Sequence, residues 1–573
     1  MLDGSPGYMG YVPESTTPGL RLGPLLRYAD ETRATVWVET DQPCDVEILG
    51  HTAPTWSVHG HHYALVVIEG LEPGTATEYE VRLDGHQVWP SQDPEYAAFG
   101  PSVIRTAENV GSFRFAFGSC RRAEPLDEQA RKKVGPDALA GLAERLTRTP
   151  RPAWPDALML LGDQMYADEP SEAVLRKIRV AHTDRPHDEV DGEICNFEEY
   201  TWLYDDSWTS APVRWLMSTV PVCMMLDDHD LRDDWNTSIT WRRWASSQPW
   251  WRDRVVGAYA SYWIYQHLGN LTPEQLAEDE VYAAMRADDS DEAGRSAYLD
   301  EFAWRADTKP DTVRWSFYRD LGHRSRGIRL VAVDSRCSRQ LDPDRRAMVD
   351  EAEWAWIQEH TVGADHPIRH LMLASTLPFL LAPGLHHLEG WNEATAEGAW
   401  GERAGVVGER IRQGLDLEHW AAFRNSLDDV TELLGTAVSL EDPPASVLML
   451  SGDVHTSYVA GAKLQRYDHP RTAIHQLTMS PFRNPVGRDI RAAYRVFTSR
   501  GMTRALRRLA RSAGVEDTAM DWQIDHGPWF DNGVMTIVIE GGMAAVEVEH
   551  APLSRHDSDT LDLTARILLA PNY

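Results

Sequence analysis

A chain of 573 residues is longer than one ordinary hydrophobic core supports, so two to four domains are expected. Its composition, 42% hydrophobic and 25% charged, is globular and excludes a disordered, collagenous or coiled-coil protein. The net charge of −32, with lysine only at 132, 133, 177, 309 and 463, argues against general binding to nucleic acid or an anionic membrane and suits a site that concentrates cations.

No apolar run approaches the ~20 residues that span a bilayer. The start, Met1-Leu2-Asp3-Gly4, has neither a basic nor an apolar region, so a cytoplasmic protein is expected, or an exported one if a leader was removed. Cysteines at 44, 120, 195, 223 and 337 are odd in number and sparse, and read as reduced thiols. Residues 1–20 read as an irregular arm rich in Gly, Pro, Ser and Thr. From 21 to 108 the text is all-β: Ala34–Val38, Tyr63–Ile68 and Tyr79–Leu83 are strands separated by turn residues at the spacing of a sandwich. The stretch Gly70-Leu71-Glu72-Pro73-Gly74-Thr75 before Tyr79 resembles the strand corner of immunoglobulin and fibronectin type III modules.

From 109 to 573 the pattern is α/β. Apolar runs at 113–117, 157–161, 220–226, 328–333, 370–374 and 447–450 alternate with amphipathic stretches at 137–148, 251–268, 346–360 and 416–434. Val534–Ile539 and Met543–Val548 flank Glu540-Gly541-Gly542 as a closing hairpin. The acidic stretches near 274–312 and 389–415 read as surface insertions or a lid.

The residues after the apolar runs carry the chemistry: Gly118-Ser119-Cys120, Gly162-Asp163-Gln164-Met165-Tyr166, Asp227-Asp228-His229-Asp230, Asp334-Ser335-Arg336 and Ser451-Gly452-Asp453-Val454-His455. Ligands bind at the carboxyl ends of strands in α/β sheets, so five such loops point to one edge and a polynuclear metal site. Thiolate, phenolate and imidazole from Cys120, Tyr166 and His455 suit a transition ion such as Fe³⁺. Carboxylates alone, Asp228 and Asp453, suit Ca²⁺, Mg²⁺ or Mn²⁺. Asp163 can bridge the two, because a carboxylate has two oxygens.

These motifs resemble the calcineurin-like metallophosphoesterases and, among them, the PhoD-type alkaline phosphatases (alkaline phosphatase D). Ser119-Cys120 matches a first motif with Cys in place of Asp; Gly162-Asp163-Gln164-Met165-Tyr166 matches GDxxY; Asp227-Asp228-His229-Asp230 matches DDH[DE]; and Gly452-Asp453-Val454-His455 matches GDVH. The resemblance implies a metallophosphoesterase-like β-sheet sandwich flanked by helices, behind the small all-β module. It also implies hydrolysis of small phosphate esters with Fe³⁺ and one or two Ca²⁺. The implied iron ligands are Cys120, Asp163, Tyr166 and His455; the calcium ligands are Asp163, Asp228 and Asp453; and His229 takes the proton-donor position.

Arg336 either pairs with phosphate as a substrate-binding residue or caps a structural Asp. Asp227 reads as a partner orienting His229, and Arg121-Arg122 as a solvated pair. A phosphodiesterase of phospholipase D or nucleotide type is the rival enzyme, and a metal-stabilised binding or adhesion protein is the rival outside catalysis.

Overall fold

The computed structural model describes residues 17–182, 190, 192–309 and 313–571. Most of the expected arm, residues 1–16, therefore lies outside the described residues, and Leu20 already begins a strand.

The N-terminal region is all-β. Leu20–Ala29, Ala34–Thr40, His61–Ile68 and Trp56–Val58 form one antiparallel sheet in that order, and His51–Pro54, Asp45–Ile48, Val81–Leu83 and His86–Trp89 form a second. Successive side chains of a strand point to opposite faces. In Ala34–Thr40 this sends Val36 and Val38 into the core between the two sheets. It turns Trp37, with Leu25 and Leu65, toward the helices of the following region. Both faces of this strand are therefore buried, Thr35 and Glu39 included.

Buried polar groups join this region to the rest. The guanidinium of Arg27 donates to the carbonyls of Val222 (3.0 Å), Tyr265 (2.7 Å) and Gln266 (2.6 Å). The Tyr79 hydroxyl donates to the carbonyl of Ser218 at 2.6 Å. His61 lies between Glu39 of its own sheet and Glu198 of helix Phe197–Trp208, 2.8 Å from each. Burial opposes the charged ring, but the two carboxylates outweigh it and push its pKa up to about 9. A raised pKa in the folded state means stability that is full below the unfolded value of ~6.5 and is lost as pH rises toward 9. With Glu198 partly exposed, the expected contribution is roughly 1–3 kcal/mol. The melting temperature should therefore fall between pH 7 and about 9, and His61→Gln should flatten that slope. An unchanged slope in the variant would rule the clamp out.

The remaining chain builds two facing sheets. The first runs Val222–Met225, Ala157–Leu161, Phe113–Gly118, Asn532–Glu540, Met543–Ala551, Asp562–Ala570. The second runs Phe317–Asp320, Ile328–Val333, His370–Ser375, Ser446–Ser451, Ala473–Thr478, Ser457–Leu464, Met520–Trp529. Phe115, Phe117 and Met159 of the first share one core with Leu330, Met372 and Leu448 of the second. Burying each such side chain is worth about 1.5–3 kcal/mol.

All six expected apolar runs are strands, but they divide between the two sheets, three parallel strands in each. The closing hairpin is present, with Glu540 opposite Met543 and Gly541 at φ +59° in the turn. The acidic stretches are helical: Glu292–Thr308 buries Leu299, Phe302 and Ala303, and Glu402–Gly414 follows helix Pro383–Ala396. Among the described residues no helix is long and apolar enough to cross a membrane.

Candidate metal centre

The loops after Gly118, Leu161 and Met225 of the first sheet and after Ser451 of the second meet at one end of the two-sheet core. Two glycines permit the approach. A Cβ on Gly162 would lie 2.4 Å from Cβ of Asp227, and one on Gly452 would lie 2.2 Å from Oγ of Ser119. The carboxylate of Asp230 ties two loops together by accepting the backbone N–H groups of Asp163 (3.0 Å), Met165 (3.0 Å) and Asp227 (2.9 Å).

Four candidate ligands sit in left-handed backbone conformations: Cys120 (φ +56°), Asp163 (+53°), Asp453 (+64°) and His455 (+46°). For residues with a Cβ this costs on the order of 1–2 kcal/mol each and persists only where the surroundings over-determine it. They do so here. Cys120 N–H donates to Gly162 O (3.2 Å), Arg121 N–H to Asp163 O (3.0 Å), and Asp453 N–H to Ser119 Oγ (3.1 Å).

The side chains form two clusters that share Asp163. Ligand atoms of Cys120, Asp163 and His455 lie within 4.8 Å of one another, as do those of Asp163, Asp227, Asp228 and Asp453. Tyr166 is buried beside the first cluster, and its hydroxyl accepts from Nδ2 of Asn484 at 2.9 Å. Burial, then Asp163 and Cys120, hold the Tyr166 phenol well above its usual pKa. The Cys120 thiol is likewise pushed up by burial, Asp163 and Asp453. A cation among these groups reverses that balance, because it favours thiolate and phenolate. Burial lowers His455 to about 4 and so keeps it in the neutral form that binds metals. Oδ1 of Asp163 and Oδ2 of Asp227 are buried without a hydrogen-bond partner. An unpaired buried acceptor costs about 1–3 kcal/mol, more when charged, and bound cations would remove that cost. The donor set therefore fits metal ions.

Arg336 is fully buried and faces carboxylates with all three nitrogens: Nε donates to Asp227 (2.5 Å), Nη1 to Glu418, and Nη2 to Asp453 (3.2 Å), with Asp228 also 3.2 Å away. Of the two roles open to it in the sequence, the geometry supports pairing with a buried Asp, since every guanidinium nitrogen already faces a carboxylate. Asp227 joins Arg336 and the hydroxyl of Thr376 (2.8 Å) rather than His229.

The partner of His229 is Asp168, whose two oxygens lie 2.9 and 3.0 Å from Nδ1. Burial opposes the charged imidazole, but Asp168 foremost, then Asp163 and Asp228, hold it well above the usual histidine range. The ring packs on Tyr166, centroid to centroid 4.5 Å. Arg121 is not solvated: it is buried against Asp137, Nη2 to Oδ2 2.7 Å.

Sequence reasoning assigns no role to Asp168, which stands two residues past the GDxxY match, nor to Glu418, His419 and Glu389. His419 hydrogen-bonds Glu389 at 2.7 Å and lies 3.5 Å from Asp453. These three occupy a helix and a loop without a recognisable motif, so only their placement reveals them.

The family model of PhoD-like phosphatases matches residues 141–487, more than half of the chain. The protein is a member of the PhoD-like phosphatase family and, at that level, a phosphoric ester hydrolase. A second family model, a domain of unknown function (DUF7800), matches residues 17–104, most of the all-β region. Among solved structures, one entitled "Structure of PhoD" is similar with 13% identity and a TM-score of 0.57, covering 98% of this chain and 92% of that one, which shows a shared fold. A maltogenic amylase from S. marinus reaches a TM-score of only 0.16 at 8% identity, covering 98% of this chain and 84% of that one, and carries no argument. No curated protein sequence matches.

Proposed function

We propose that the protein is a metal-dependent hydrolase of small phosphate esters, with its chemistry at the two clusters joined by Asp163. The observation that carries this reading is the shared Asp163 carboxylate, with a buried and unpartnered oxygen, between a Cys/His cluster and an all-carboxylate cluster. Cys120, Tyr166, His455 and Asp163 would hold Fe³⁺, since thiolate and phenolate favour it. Asp163, Asp228 and Asp453 would hold Ca²⁺, or Mn²⁺ or Mg²⁺, with Asp227 alongside. Such ions, when bound, supply positive charge for the phosphoryl group and acidify water.

The remaining work falls to side chains of this chain. Asp168 accepts from Nδ1 of His229 and so leaves Nε2 to protonate the departing ester oxygen. Arg336 offsets the crowded carboxylates from behind. The two facing sheets would form the metallophosphoesterase-like sandwich of a catalytic region spanning 109–573, with insertions near 274–312 and 389–415. The module at 21–108 would be an immunoglobulin- or fibronectin-like support.

The test joins metal analysis to an ester panel on one purified sample. Expected are iron with a visible charge-transfer band, weakened in Cys120→Ser, and release of phosphate from monoesters or alcohol from diesters. The panel also separates monoesterase from diesterase. Zinc alone with no visible band would overturn the ferric assignment, and no turnover of any ester would overturn the hydrolase.

A further inference from the structure

Residues 488–512 oppose the charge of the rest of the protein. In a chain of net charge −32 they hold eight arginines and a single acid, Asp489. They form two helices, Arg488–Phe497 and Arg500–Ser512. Arg507 and Arg511 pair with Asp517. Among the described residues no ion pair is found for Arg488, Arg500, Arg504 or Arg508, and all four are exposed. Arg500, Arg504 and Arg508 are spaced four residues apart and make one stripe along their helix.

The first helix has an apolar side as well. Tyr494 anchors it against Tyr458 and Phe530. Ile490, Ala493 and Val496 run along the helix at three-residue spacing, and Ile490 and Val496 remain 54% and 47% exposed. Arg488, Arg491 and Arg495 lie on the opposite side at 3.6 residues per turn. The first helix is next to the metal loops: Val454 packs in the same cluster as Tyr494, and Asn484, four residues before Arg488, touches Tyr166.

We propose that Arg488–Ser512 is a docking surface for an anionic phospholipid bilayer, which would hold the site at the membrane face. Arginine-rich helices with an exposed apolar ribbon lie in the bilayer interface, where the ribbon sinks among headgroups and the guanidinium groups meet lipid phosphates. A soluble polyanion would use the arginines and leave Ile490 and Val496 in water, so the ribbon favours the bilayer. The rest of the chain, being acidic, is repelled by the same surface, which orients the protein with these two helices toward it.

The test is co-sedimentation of the metal-loaded full chain with vesicles of phosphatidylglycerol and phosphatidylcholine, against vesicles of phosphatidylcholine alone. Binding to the anionic vesicles only, weakening with salt, is expected. Each arginine near such a surface contributes a factor of about five, so the triple variant Arg500→Glu, Arg504→Glu, Arg508→Glu should lower the partition by about 100-fold or more. Ile490→Ser with Val496→Ser should weaken vesicle binding but leave binding to soluble polyphosphate intact. Turnover of a soluble ester should be unchanged in both variants, which reports that they fold. Equal binding to neutral vesicles, wild-type binding by the triple variant, or retention of polyphosphate without any vesicle binding would each overturn the proposal.

Discussion

Asp163→Asn is expected to lose metal and turnover together while the protein stays folded. Asp163 is the one carboxylate common to both clusters, so an amide in its place weakens both ion sites at once. Changes to groups that merely orient ligands cost about 10–100-fold in metal affinity or activity, and loss of the shared ligand should exceed that. The metal-free protein should behave in the opposite sense. Burial holds the Asp163 carboxyl well above its usual pKa against the opposing pull of His229, and Asp228, Asp227 and Asp230 add to it, so a neutral amide relieves the cost of a buried charge there. Thermal unfolding of the metal-free variant should therefore occur no lower than that of metal-free wild type, while elemental analysis shows both ions reduced. A variant with full metal content and full turnover would mean that these loops do not make the site.

His229→Ala should keep its metals and still slow hydrolysis, by an amount that depends on the leaving group. Its Nδ1 is taken by Asp168, and its ring lies on Tyr166. A general acid contributes roughly 10²–10⁴-fold where the departing oxygen is a poor leaving group. A nitrophenyl phosphate departs readily as an anion and should be penalised less than an alkyl phosphate. The measurement is kcat/KM for the two esters in wild type and variant, with metal content determined in each. Equal slowing of both esters would assign His229 to holding phosphate instead, and no slowing would make it a bystander. Asp168→Asn should follow the same leaving-group pattern to a smaller degree, since the imidazole remains but loses the carboxylate that holds it charged.

Much of this site is legible in the sequence because its parts are local. The ligands follow apolar runs within two to five residues, and the runs are strands because they are short, continuous and end at Gly, Asp or Ser. Gly162 and Gly452 stand where a Cβ would collide with a neighbouring loop, so the motifs carry their own packing constraint. What escapes is long-range. No periodicity tells that Phe113–Gly118 and Ser446–Ser451 belong to different sheets facing one another, since both are buried on both faces and read alike. Asp168 escapes because it stands two residues past the motif and its partner, His229, is 61 positions further along the chain. Glu418 was missed because its value lies in meeting Arg336 and Arg339, remote in sequence and buried with it. Whole-chain charge concealed the arginines of 488–512, because a sum over 573 residues carries no position.

The most direct measurement of the central claim is phosphate ester hydrolysis followed through removal and return of metal in one preparation. Chelation should abolish turnover and the visible band. Restoring iron together with calcium should bring both back, in proportion to the metal rebound. Asp163→Asn carried through the same cycle should recover neither. Full turnover by protein shown to be free of metal would contradict the account.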